Sequence, residues 1–130
     1  MRGPLARPPV PIARSRREDF EDLVVDAAER IEAHLARERD LVLTDVAFAV
    51  EDMPFFPPGE EPDVVPFGRV EDSGDGHGPL VVVYRRTLEL RSDDDEELAE
   101  LVHDAVVEQV AELLGLDVDD VDPGYPGYPA

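Results

Sequence analysis

The sequence V-H-D-A-V-V-E-Q-V-A-E-L-L-G-L, from Val102 to Leu116, decides the fold because it predicts a long helix with polar residues on its apolar side. At about 100° per residue, its apolar stripe comprises Leu98, Leu101, Val102, Ala105, Val106 and Leu113. Gln109 falls near the centre of this stripe, with Glu108 and Glu112 at its edge. A buried polar group costs about 1–3 kcal/mol or more unless it is hydrogen-bonded. The pattern therefore indicates a site, or the remains of one, inside the fold.

Capping signals define two long helices. Ser15 and Glu18 have the spacing of a capping box, which opens a helix running to about Arg39. Its buried stripe is expected to contain Phe20, Val24, Ala27, Ile31 and Leu35. Ser92 is expected to cap the second helix, because the acidic residues 93–97 that follow it suit a helix N-terminus. Gly115 is expected to end that helix.

The segment between the helices predicts a small sheet. Residues 41–50 alternate like a half-buried strand. Residues 80–84 give the strongest strand signal, and residues 87–90 are expected to extend this strand. Residues 63–70 predict a weaker edge strand, after a proline-rich loop at 51–62. The chain is therefore expected to be α+β, with two long helices packed on a mixed or antiparallel sheet of about three or four strands.

Length and composition limit the domain organisation. The 130 residues allow one domain, expected at 15–116. Residues 1–14 predict a disordered tail rich in arginine and proline, and residues 117–130 a disordered acidic tail rich in proline, glycine and tyrosine.

The charge of the chain limits its partners and its compartment. A net charge of −20 disfavours nucleic acid and anionic membranes as partners, which leaves an unknown protein or peptide. There is no cysteine, and no apolar segment is long enough for a signal peptide or a membrane span. A cytoplasmic protein is expected.

The long helix also resembles the motif helix of the minimal zincin-like metallopeptidases common in actinobacteria, which are related to metzincins. In that family the helix reads V-x-x-T-V-x-H-E-x-x-H-H-F-G-I, and Val102, Val106 and Gly115 match it without a gap. The resemblance extends more loosely to R-R-E-D-F-E-D-L-V near the start and to the segment 82–86, so it covers most of residues 15–116. It implies the zincin arrangement, in which the motif helix lies under the sheet and an edge strand borders the groove.

At each position where the family motif has a metal ligand or the general base, this chain has a different residue. The first histidine ligand corresponds to Glu108, the general-base glutamate to Gln109 and the second histidine to Glu112, while the third ligand corresponds to Val118. A catalytic zinc needs about three protein ligands and a water, and a carboxylate must accept the proton of that water. The amide of Gln109 has no such proton-accepting group. The resemblance therefore implies a non-catalytic scaffold or binding protein, a pseudoenzyme, with no cofactor expected.

Two other functions stay open from the residues. One is a peptidase or hydrolase that binds zinc or another divalent metal through Glu108 and Glu112, with His103 or His77 as weaker candidates for a third ligand. The other is an acidic adaptor that acts through its tails. A purely structural explanation also exists, in which Gln109 bonds to a neighbouring backbone and the two glutamates are solvated or paired with Arg85 or Arg86.

Overall fold

The computed structural model describes residues 15–43, 45–72 and 78–124. Its elements are helix α1 (Arg16–Arg39), strands β1 (Ala47–Glu51), β2 (Gly68–Asp72) and β3 (Pro79–Tyr84), and helices α2 (Arg85–Arg91), α3 (Asp95–Leu114) and α4 (Val118–Val121). This architecture confirms the expected α+β class. The predicted tail at 1–14, the candidate ligand His77, and residues 125–130 lie outside the described residues.

Helix α1 begins and packs as its sequence predicts. The Ser15 side chain accepts a hydrogen bond from the Glu18 backbone N–H, and the Glu18 side chain accepts one from the Ser15 N–H. The five residues of the predicted stripe are its buried residues. Asp40 ends the helix in the left-handed conformation, with φ of 53°.

The sheet has the order β1-β3-β2, with β1 parallel and β2 antiparallel to β3. The central place of β3 agrees with the sequence prediction, and its residues 81–84 are buried. Strand β1 begins later than predicted because Asp45 adopts φ of 61°, which interrupts an extended chain. Strand β2 begins only at Gly68, after Pro66, whose nitrogen cannot donate to a ladder.

The predicted continuation of the central strand at 87–90 is wrong, because helix α2 occupies that segment. The register pairs Tyr84 with Glu51, the last residue of β1, so the sheet offers no partner beyond this point. Helix formation instead buries Leu88 in the core. Ser92 then donates its hydroxyl to the Glu89 carbonyl at the end of α2, and Asp94 caps α3 in its place.

Helix α3 packs against α1, both β2 and β3, and both short helices, which makes it the centre of the domain. Gly115 ends it with φ of 70°, as predicted. The ordered chain continues beyond the predicted boundary at residue 116, because Val121 of α4 is buried in the core. Arg39 forms an ion pair with Asp120 and thereby ties α4 to α1. Within the described ranges, the helices are too short or too polar to cross a bilayer.

Candidate functional site

Gln109 lies inside the fold, beneath the edge strand β2. The residue is 7% exposed, which confirms the burial that helical periodicity predicts. Its side chain packs directly under Gly68: a Cβ atom at Gly68 would lie 3.1 Å from Gln109 Cγ and would also collide with the Val82 carbonyl oxygen. Glycine at position 68 therefore leaves the space that the Gln109 amide occupies.

The Gln109 side chain is buried without the hydrogen bond expected for its oxygen. Its Oε1 atom has no hydrogen-bond partner in the described structure. An unmade hydrogen bond to a buried amide costs about 1–3 kcal/mol. The unpaired amide oxygen is thus unfavourable for folding, at the position that corresponds to the general base.

The two glutamates of the motif differ in their surroundings. Helical periodicity also predicts that Glu112 is mostly buried, as Gln109 is; this prediction is wrong, because Glu112 is exposed, whereas Glu108 is partly buried. Glu112 lies about 60° around the helix from Gln109, near the end of α3, and this rotation is enough to turn it towards solvent. The buried amide of Gln109 and the exposed carboxylate of Glu112 thus lie one turn apart on α3.

Arg85 binds two other carboxylates, those of Asp52 and Glu89. Its guanidinium donates to Asp52 over 3.1 Å and to Glu89 over 3.1 Å, and Glu89 lies one turn along the same helix. These hydrogen bonds join α2 to the chain that follows β1. The structure therefore uses Arg85 for support at the end of the sheet.

The residues present do not fit a catalytic zinc. Among the residues that the structure describes, no group of three histidine, cysteine, aspartate or glutamate side chains could hold a metal ion. Val118, at the position of the third ligand, is an apolar side chain packed against the core. His103 is engaged elsewhere, since its Nε2 atom lies 2.9 Å from Asp122 Oδ2.

A second polar cluster lies farther towards the N-terminus of α3, and sequence reasoning missed it. Asp104 is only 8% exposed, and burial raises its pKa to about 6. His103 lowers that pKa, while the neighbouring carboxylates of Asp122, Glu108 and Glu100 raise it further. A signal was present in the sequence, because three apolar residues, 105–107, follow Asp104 directly.

Asp122 connects this cluster to the end of the described chain. Burial alone would raise its pKa, but hydrogen bonds from His103 and from the Gly124 backbone N–H outweigh burial and lower it. The Nδ1 atom of His103 is buried and has no partner in the described structure. The His103–Asp122 pair thus holds the segment after α4 against α3.

An arginine cluster joins the three strands on the other face of the sheet. Arg69 of β2 donates from Nη1 to Glu51 Oε1 over 2.7 Å and to the Tyr84 hydroxyl over 2.9 Å, and from Nη2 to Glu51 Oε2 over 2.8 Å. These hydrogen bonds raise the pKa of Arg69 far above its ordinary value and lower the pKa of Glu51. The cluster holds edge strand β2 in place above Gln109.

This chain belongs to the zincin-like metallopeptidase family. The family model described as zincin-like metallopeptidase matches residues 43–128, which span the sheet, the motif helix α3 and α4. A search of curated proteins found no match to this chain. The family agrees with the observed fold, in which α3 lies under a small mixed sheet with β2 at an edge.

Proposed function

We propose that this protein is a non-catalytic member of its family, which binds a protein or peptide segment without cleaving it. The observation that carries the proposal is Gln109: an amide stands at the general-base position, is buried, and has no partner for its oxygen. An amide cannot accept the proton of an attacking water. The glutamates at the two histidine positions and Val118 at the third support the same conclusion.

Strand β2 is the feature best suited to bind an extended segment. The Phe67 carbonyl accepts a hydrogen bond from the Tyr84 N–H, so the backbone groups of Phe67 point towards β3 in the antiparallel ladder. Because ladder residues alternate, the backbone groups of Gly68, Val70 and Asp72 point to the other edge of β2. A peptide can add a strand to such an edge through main-chain hydrogen bonds.

The connection between β1 and β2 carries apolar side chains that support an apolar partner. Phe55 is 86% exposed, and Val64 is 76% exposed. Met53 and Val65 are exposed in the same connection. Large exposed apolar side chains concentrated in one segment are typical of interaction sites.

The absence of catalysis is tested by peptidase assays with zinc or manganese, using casein as substrate. We expect no metal-dependent cleavage by the wild type, because no carboxylate stands at position 109. Cleavage that is abolished by Glu108→Ala or Glu112→Ala would contradict the proposal. It would favour the alternative, a divalent-metal hydrolase with carboxylate ligands.

Binding at the edge is tested with peptides selected from a random display library on the full chain. Asp72→Pro removes an outward N–H from β2 and leaves the ladder to β3 intact, and Asp72→Ala is its control because it removes only the side chain. We expect selected peptides to lose affinity for the proline variant alone. Equal binding to both variants would refute the edge-strand site and would favour an adaptor that acts through other segments.

A further inference from the structure

A groove opens between α1, α3 and the segment that follows α4. It has a volume of about 620 Å³, and Arg30, Glu100, His103, Asp104 and Asp122 line it. A smaller groove of about 130 Å³ shares Arg30, His103 and Asp122 and extends to His34. The residues that line the two grooves do not include Glu108, Gln109 or Glu112, although Glu108 lies near enough to Asp104 to raise its pKa.

Asp104 is a buried carboxylate of this groove that has no hydrogen-bond partner among the described residues. It is more than nine-tenths buried, yet its carboxylate makes no hydrogen bond to any residue that the structure describes. Burying an unpaired carboxylate is among the most costly arrangements in a protein, and such groups are ordinarily paired. The side chain also lines the groove, so a molecule in the groove can reach it.

The charges around Asp104 favour a cation as that molecule. Glu100 lies one turn before Asp104 on the same face of α3, and Asp122 faces it from the segment after α4. Asp122 is already bonded to His103, which leaves Asp104 as the anchor and Glu100 as a second acceptor. Arg30 is the one arginine among the residues that line the groove, so acidic side chains outnumber it.

We propose that this groove binds a small organic cation, whose ammonium or guanidinium group donates hydrogen bonds to Asp104. A bare metal ion fits less well, because the described side chains contain no group of three metal ligands in suitable positions. The volume of the groove is also far larger than an ion needs and suits a flexible diamine. Glu100 then receives the second cationic group of such a ligand.

The proposal predicts how binding depends on pH. The groups around Asp104 are Arg30 from α1, Glu100, His103 and Glu108 from α3, and Asp122 after α4, while His34 of α1 acts on Asp122. The ligand needs Asp104 in its ionised form, and the pKa of Asp104 is about 6 in the protein alone. Affinity therefore rises between pH 5 and pH 8, and binding at pH 6 releases protons.

Calorimetric titration of the full chain with putrescine and with agmatine, at about 0.15 M salt, tests the proposal. We expect saturable binding of one molecule per chain at pH 8. Asp104→Asn is expected to weaken it by at least about tenfold, the effect of losing a charge-assisted hydrogen bond. The control is Asp26→Asn, which makes the same chemical change at an exposed position of α1 outside both grooves and is expected to bind like the wild type.

Three results would overturn the proposal. One is the absence of saturable binding to the wild type by both amines. Another is equal weakening by Asp26→Asn, which would indicate diffuse attraction to an acidic protein. The third is unchanged affinity in Asp104→Asn, whose folding is verified by circular dichroism. Amide resonances provide a second readout, since putrescine is expected to shift those of Glu100 to Asp104 and to leave those near Asp26 unchanged.

Discussion

Replacing Asp104 by asparagine is expected to stabilise this protein at neutral pH. Asparagine keeps the shape of the side chain and removes a charge that the fold buries without a hydrogen bond. Burial raises the pKa of Asp104 from its ordinary 3.8 to about 6. Since one pKa unit corresponds to about 1.4 kcal/mol, the ionised side chain costs the folded state up to about 3 kcal/mol.

The raised pKa of Asp104 determines how the stability of the protein changes with pH. The folded protein holds the Asp104 proton more tightly than the unfolded chain, so this residue favours folding at low pH. Its contribution is lost as the pH rises through about 6. The advantage of Asp104→Asn over the wild type should therefore grow by about 1.4 kcal/mol between pH 5 and pH 8.

Urea unfolding followed by circular dichroism at pH 5 and pH 8 measures this difference. Both values lie above the isoelectric point of about 4.2, where the protein keeps its negative charge. Asp26→Asn is the control for the general relief of repulsion in a chain of net charge −20. The reasoning is refuted if both variants gain equally, or if Asp104→Asn is the less stable protein at pH 8.

Three further outcomes are expected. Elemental analysis of the dialysed protein should find no stoichiometric zinc, because the motif positions lack both histidines and Val118 replaces the third ligand; about one zinc per chain would contradict this. Gly68→Ala should lower the free energy of unfolding by about 2 kcal/mol through overpacking against Gln109 and the sheet backbone, whereas Gly124→Ala, which has room, should change it little. Gln109→Met should raise the free energy of unfolding by about 1 kcal/mol, because it removes a buried amide whose oxygen is unpaired. A lower free energy of unfolding would show that the amide has a structural partner.

The sequence alone was sufficient for the elements whose signals are local. The Ser15–Glu18 capping box, the apolar spacing of α1 and the left-handed glycine at 115 act within a few residues of the chain. The consecutive β-forming residues at 81–84 likewise predicted the central strand. Such signals depend on the periodicity of one element and on its ends, and they need no knowledge of its neighbours.

The family could also be recognised from the sequence, because its motif helix keeps Val102, Val106 and Gly115 at the family spacing. The replacement of the histidine ligands and of the general base is equally visible, since Glu108, Gln109 and Glu112 can be read directly from the sequence. Whether those exchanges abolish catalysis stays a prediction, which the peptidase assay tests.

Only the tertiary structure decided which of these side chains are buried. Gln109 and Glu112 lie close together on the helical wheel, but β2 covers Gln109 and leaves Glu112 exposed. Segment 87–90 follows the central strand closely and was predicted to extend it, yet β1 ends at Glu51 and the chain turns into a helix. Asp104 is buried because α1 and the segment after α4 enclose it. Periodicity sets the direction of a side chain from its helix, whereas its solvation and pKa depend on the distant segments that pack over it.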